Sequence, residues 1–249
     1  MIRLLSLTTF FSILTLWATA QKFNPSINKD SLLKVIYQKL GSEERIKEFK
    51  THYNSGNKEV QEFLLFMGSM PQSSKKELIA NIDNNYDKIH LLIESFRKLV
   101  PKGFDVFIEF QPANNIITTP ANIDMRIEYL NPDNFNSEEI DQKWKMEYGS
   151  AELDRMCKKL KWNDGTLKEI KQLLDDAHCI SIDNNAIAGV GFARSGMSKY
   201  SYRIFNHNLD REEIGKYNDG CSYIFHKNNI VLQYGGGAVG PQCFPNGVD

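Results

Sequence analysis

The sequence has no excess of either charge: 30 Lys and Arg stand against 31 Asp and Glu. Without the first twenty residues, which hold Arg3 and no acid, 29 basic residues face 31 acidic ones, a net charge of −2. That balance removes the usual reason to expect nucleic acid or anionic lipid as a partner. Beyond residue 20 there is no long apolar run, so no membrane insertion is expected after processing. Eight prolines, sixteen glycines and four cysteines in 249 residues are too few for a collagen, a Pro-rich linker or a small disulfide scaffold. The 41% hydrophobic and 24% charged residues that remain are those of a folded chain, with length for one large domain or two ordinary ones.

The N-terminus carries an export signal. Arg3 precedes an apolar run from Leu4 to Trp17, followed by Ala18-Thr19-Ala20-Gln21, a small-x-small cleavage site. The run is broken by Ser6, Thr8, Thr9, Ser12 and Thr15 and is too short for a membrane anchor. Residues 1–20 therefore read as a signal peptide, and the mature protein as exported, periplasmic or extracellular. In an oxidising compartment an even set of cysteines defaults to disulfides. The sequential pairing, Cys157 with Cys179 and Cys221 with Cys243, closes two short loops and is the expected connectivity, with two other pairings open.

Periodicity gives the elements. Leu32, Leu33, Ile36 and Leu40, then Val60, Phe63, Leu64 and Met67, have helical spacing, with breaks at Gly41-Ser42 and around Gly56. A helical region over residues 21–72 follows. A long helix is predicted from Lys75 towards Val100, stopped by Pro101-Lys102-Gly103. Alternation then marks strands at Phe104 to Phe110 and Ile123 to Tyr129. Helical spacing returns at Leu153 to Leu160 and Leu167 to Ala177. Strands resume at Ile180, Ala186 to Phe192 and Tyr200 to Phe205, with a hairpin around Asn228-Asn229.

Two stretches look alike. Tyr129-Leu130-Asn131 onward to Glu138-Glu139-Ile140 reads like Ile204-Phe205-Asn206 onward to Glu212-Glu213-Ile214. Asn136 with Glu139, and Asp210 with Glu213, have capping-box spacing, predicting a short helix in each copy. The fold class that results is α+β: N-terminal helices followed by two related units of helix plus antiparallel sheet, over residues 73–149 and 150–249, an internal duplication. The element order of the second unit resembles that of secretion-chaperone-like domains, which bind other polypeptides. The likeness is one of topology over about seventy residues, without a motif, and it transfers no function.

Candidate chemistry is sparse. Gly191-Phe192-Ala193-Arg194-Ser195-Gly196-Met197-Ser198 has phosphate-loop spacing but Met197 in place of the lysine and strands on both sides, so it reads as a turn. Tyr234 to Pro241 is glycine-rich and reads as a flexible exit from the last strand rather than an anion nest. Asp175, Asp176, His178 and Cys179 cluster without the spacing of a recognised metal site, so no metal and no cofactor are expected. Glu109, Asp124 and Glu128 read as the watered face of a sheet rather than paired catalytic acids. Tyr200, Tyr202, Tyr223 and Phe225 read as core.

Two functional readings follow. The first is a non-catalytic protein that binds another protein or a small ligand, with Arg194, Lys199 and Arg203 as the exposed cluster that borders a binding surface. The second is an exported hydrolase assembled from distant residues, with His178, His207 and His226 as first suspects. A His-assisted thiol enzyme is disfavoured because oxidised cysteines are inert as nucleophiles.

Overall fold

A computed structural model describes residues 23–130, 137–236 and 239–245. The signal segment and Asn136 lie outside them. Among the described residues seven helices and eight strands form two compact units.

The first unit comprises residues 23–69 and 113–120. Helices α1 (Lys29–Leu40), α2 (Glu43–Ser55) and α3 (Lys58–Ser69) have the predicted breaks between them. Asn28 and Ser42 accept from backbone N–H groups one turn on and so begin α1 and α2, and Gly41 ends α1 in the left-handed conformation. Ile36, Leu65 and Phe66 are buried. Helices α1 and α3 meet at Gly68, where a side chain would run into Ile36. The 113–120 segment is tied on by backbone bonding of Asn24 to Ile116 at 2.7 Å.

The second unit holds the sheet. Helix α4 (Lys75–Leu99) starts at a Ser74–Glu77 capping box and kinks at Asn85. Strands β1 (Phe104–Gln111), β2 (Asn122–Leu130) and β3 (Ser137–Glu147) follow. Helices α5 (Ala151–Lys159) and α6 (Asp164–Asp176) lead into β4 (Ser181–Asp183), β5 (Ala188–Ser195) and β6 (Ser198–Ile204). Helix α7 (Arg211–Lys216) precedes the hairpin of β7 (Tyr223–Lys227) and β8 (Ile230–Tyr234). All pairings are antiparallel, in the order β3-β2-β1-β4-β5-β6-β8-β7. Two three-stranded meanders, each preceded by helix, therefore meet at a seam between β1 and β4. The seam is short, registering Phe107 with Asp183, Ile108 with Ile182 and Glu109 with Ser181.

Alternation decides which face is which. Val106, Ile108, Met125, Ile127, Ile182, Val190, Tyr202 and Leu232 point to one face and are buried with Leu78, Ile82, Phe96, Met156, Ile170 and Leu174 of α4, α5 and α6. The neighbouring residues, Phe107, Glu109, Arg126, Asp183, Gly189, Lys199, Ser201 and Arg203, point to the face without these helices. At the β7–β8 end of that second face, α7 covers a small cluster of Phe205, Leu209 and Val231. Tyr200 and Tyr202 lie in the main core, whereas Tyr223 and Phe225 pack half-buried against the small cluster.

Two expectations are corrected. The Asp210–Glu213 box does start a helix, but the segment of the first unit likened to it in sequence is strand β3, paired along β2 from Leu130 to Asn122. The Asn-to-Glu spacing there precedes a chain whose alternating Ile140, Gln142 and Trp144 suit an edge strand better than one short helix. The cysteines form one bond instead of two. Cys221 and Cys243 are joined at 2.06 Å, while Cys157 and Cys179 are buried free thiols. The Cys179 thiol turns to the Ala177 carbonyl at 3.3 Å, with the Asn81 amide of α4 beside it, and Cys157 lies in the core with Leu153 and Met156. No helix among the described residues is long and apolar enough to cross a membrane.

Candidate functional site

The face without the large helices carries a groove of about 470 Å³ directly over the β1–β4 seam. At its centre is Glu109, whose side chain is 2% exposed. The pleat aims it away from the apolar core, so its charge meets cations instead of Leu and Ile. Arg194 Nε donates to Oε1 at 2.7 Å, and Lys199 Nζ donates to Oε2 at 3.0 Å. Lys199 also reaches Ser181 Oγ at 3.0 Å and lies 4.9 Å from the centre of the Phe107 ring. Glu109 belongs to the first meander and both of its cations to the second, so the triad bridges the seam.

The floor is shaped by two glycines of β5. A side chain at Gly189 would collide with the Asp183 carboxylate and one at Gly191 with the Ser181 hydroxyl, which these positions let lie flat across the strand. Asp183 accepts from the Gly189 N–H at 2.9 Å and faces Arg203 at 3.9 Å. Burial pushes its carboxyl above the ordinary value, against the pull of the Gly189 N–H and the Arg203 charge. Arg126, held to Glu128 at 2.9 Å, and Gln142 and Trp144 of β3 form one wall, and Gln233, Gly235 and Gly236 lie at the other. Trp144 is 53% exposed, and its ring meets Phe107 edge-on at 6.4 Å.

The three basic residues singled out in the sequence, Arg194, Lys199 and Arg203, all line this groove. Arg126, Trp144 and Gly189 were missed, while Glu109 and Gly191 were named but read as a watered-face acid and as part of a turn. The available signal was the alternation of β1, which sets Glu109 on the same face as Phe107. The watered-face description of the acids needs amendment: Glu109 and Asp124 are 1% and 4% exposed. Asp124 accepts from the Lys145 N–H at 2.7 Å and from the Gln111 amide, and burial raises its carboxyl.

The histidines are scattered. His178 is exposed at the end of α6 in the left-handed conformation. His207 contacts Glu213 at 2.9 Å, a carboxylate already engaged in the α7 capping box. His226 contacts Asp83 at 2.9 Å beside Lys227, and these two bonds hold the Asp83 carboxyl below its ordinary value. Among the described residues no hydrogen bond joins these imidazoles to a hydroxyl or thiol, and no group of three His, Cys, Asp or Glu could hold a metal ion. Asp175 and Asp176 pair instead with Lys171 and Gln172 one turn back. The loop from Ser195 to Ser198 is the tight turn between β5 and β6, with Gly196 in the left-handed conformation.

No family model matches the chain, and no curated protein or solved structure matches it.

Proposed function

We propose that the chain is an exported, non-catalytic binding protein, that its site is the groove over the β1–β4 seam, and that its ligand is anionic. The observation that carries this reading is the convergence of Arg126, Arg194, Lys199 and Arg203 on a groove lined by the acids Glu109 and Asp183, so that four cations face three acids when Glu128, the partner of Arg126, is counted. In a chain that is close to neutral overall, this is a local surplus of positive charge. Arg126, Arg194 and Lys199 are held by ion pairs of 3.0 Å or less, so their positions are set before a ligand arrives, which lowers the ordering cost of binding, while Arg203 is held more loosely, 3.9 Å from Asp183. The repeated order of helix and three-stranded meander supports a duplication as the origin of the scaffold, with the groove at the junction of the copies.

The test is a titration of the mature protein with polygalacturonate, heparin and polyglutamate, read on the arginine Nε–H resonances of Arg194 and Arg203. At least one polymer is expected to shift them saturably, and the Arg194→Gln, Arg203→Gln double variant to bind that polymer at least about tenfold more weakly in calorimetry. If none of the three moves these resonances, the groove is not a site for anions. The hydrolase reading has the His207–Glu213 and His226–Asp83 contacts in its favour, but neither imidazole is bonded to a nucleophile among the described residues.

A further inference from the structure

Resting on that reading of the groove, we infer that the anion is carried on a sugar ring: the ligand is an acidic oligosaccharide, a chain of pyranoses bearing carboxylates, stacked on Trp144. The lining of the groove distinguishes this from an acidic peptide. An extended peptide gains affinity by adding to a sheet edge or by seating apolar side chains in pockets. This groove lies over the middle of the sheet, at the β1–β4 seam, where the strand edges are already paired. Apart from Phe107 and Trp144, its lining is polar, charged or glycine.

What the lining does offer suits a sugar. The indole of Trp144 stands more than half exposed at the wall, a large rigid apolar surface with low ordering cost for the C–H face of a pyranose. Gln142, Gln233 and Ser201 both donate and accept, as a ring hydroxyl requires of its partners. The guanidinium groups of Arg126, Arg194 and Arg203 have the planar fork that matches a carboxylate. The flat floor over Gly189 and Gly191 admits a broad ring where a larger residue would force the Asp183 and Ser181 side chains upward.

Calorimetry with tetragalacturonate, the neutral galactose tetramer and tetraglutamate separates the cases, with tryptophan fluorescence as second readout. Tetragalacturonate is expected to bind and to change the emission of the protein, with the neutral tetramer about tenfold or more weaker, the loss of one charge-assisted contact. Trp144→Ala is expected to weaken tetragalacturonate about tenfold and abolish the emission change while leaving the melting temperature near wild type, since the ring is exposed. Equal binding of the neutral tetramer, or an unchanged affinity in Trp144→Ala, overturns the inference. Tighter binding of tetraglutamate, with the Arg194 and Arg203 resonances moving, overturns the sugar but leaves the anion-binding groove standing. Binding of none of the three, with those resonances unmoved by any anion, removes both.

Discussion

Glu109 is the residue on which the groove depends. A carboxylate at 2% exposure is tolerable because two cations from another part of the chain neutralise it, and they in turn are fixed by it. Removing one partner of a fully buried pair costs about 3–5 kcal/mol. Here Arg194 and Lys199 keep 30% and 16% exposure and can turn to water, so Glu109→Gln is expected to cost less, about 2 kcal/mol in urea unfolding. A loss below about 0.5 kcal/mol would mean the triad holds nothing together. The sequence disclosed half of this arrangement. Arg194, Lys199 and Arg203 stand out in a β-rich stretch with little other charge, but the shared partner of Arg194 and Lys199 is 85 positions upstream of Arg194, and alternation alone cannot say which acid a cation meets.

Among the elements, β3 was the least legible and the long helix α4 the most. Leu78, Ile82, Ile89, Leu92, Ile93 and Phe96 repeat with one period between a capping box and a Pro-Lys-Gly stop, so local and tertiary preferences agree. Strand β3 has a helix-like start in its sequence, a register shift against β2 between Ile123 and Met125, and Lys145 in the left-handed conformation. Each breaks the alternation by which a strand is recognised. Besides Met146, which is buried in the core with Leu153 and Met156, its attachment to α5 is electrostatic: Asp141 faces Arg155 Nη2 at 3.1 Å and Lys159 at 2.8 Å. These bonds hold the Asp141 carboxyl well below its ordinary value of 3.8. A depressed native value stabilises the fold above the ordinary value and fades as pH falls through it towards the native one. Asp141→Asn is therefore expected to lose about 1 kcal/mol at pH 7, with the gap to wild type closing below about pH 4. A gap that stays constant with pH would show that the carboxylate charge does not tie β3 down.

For the whole molecule, the unpaired cysteines set a condition that the sequence could not reveal. Counting, with residues 1–20 read as an export signal, favours two bonds, whereas packing buries Cys157 and Cys179 as free thiols in the main core. Burial pushes the Cys157 thiol up to about 11 and the Cys179 thiol to about 12, so at neutral pH neither is present as thiolate. A disulfide-exchange reagent at pH 8 is expected to find no fast-reacting thiol in the native protein and two after denaturation. A thiol that reacts promptly in the native state would place it outside the core described above.

The Cys221–Cys243 bond has a consequence for how the protein withstands cutting. The loop it closes contains the β7–β8 turn, where Lys227 is exposed, and its far end is seated by Phe244, whose N–H donates to the Cys221 carbonyl at 2.8 Å and whose ring is buried near Tyr200 and Tyr234. A single tryptic nick after Lys227 would then yield two polypeptides that migrate as one until a reductant is added, so the terminal strand would outlast the break in its own backbone.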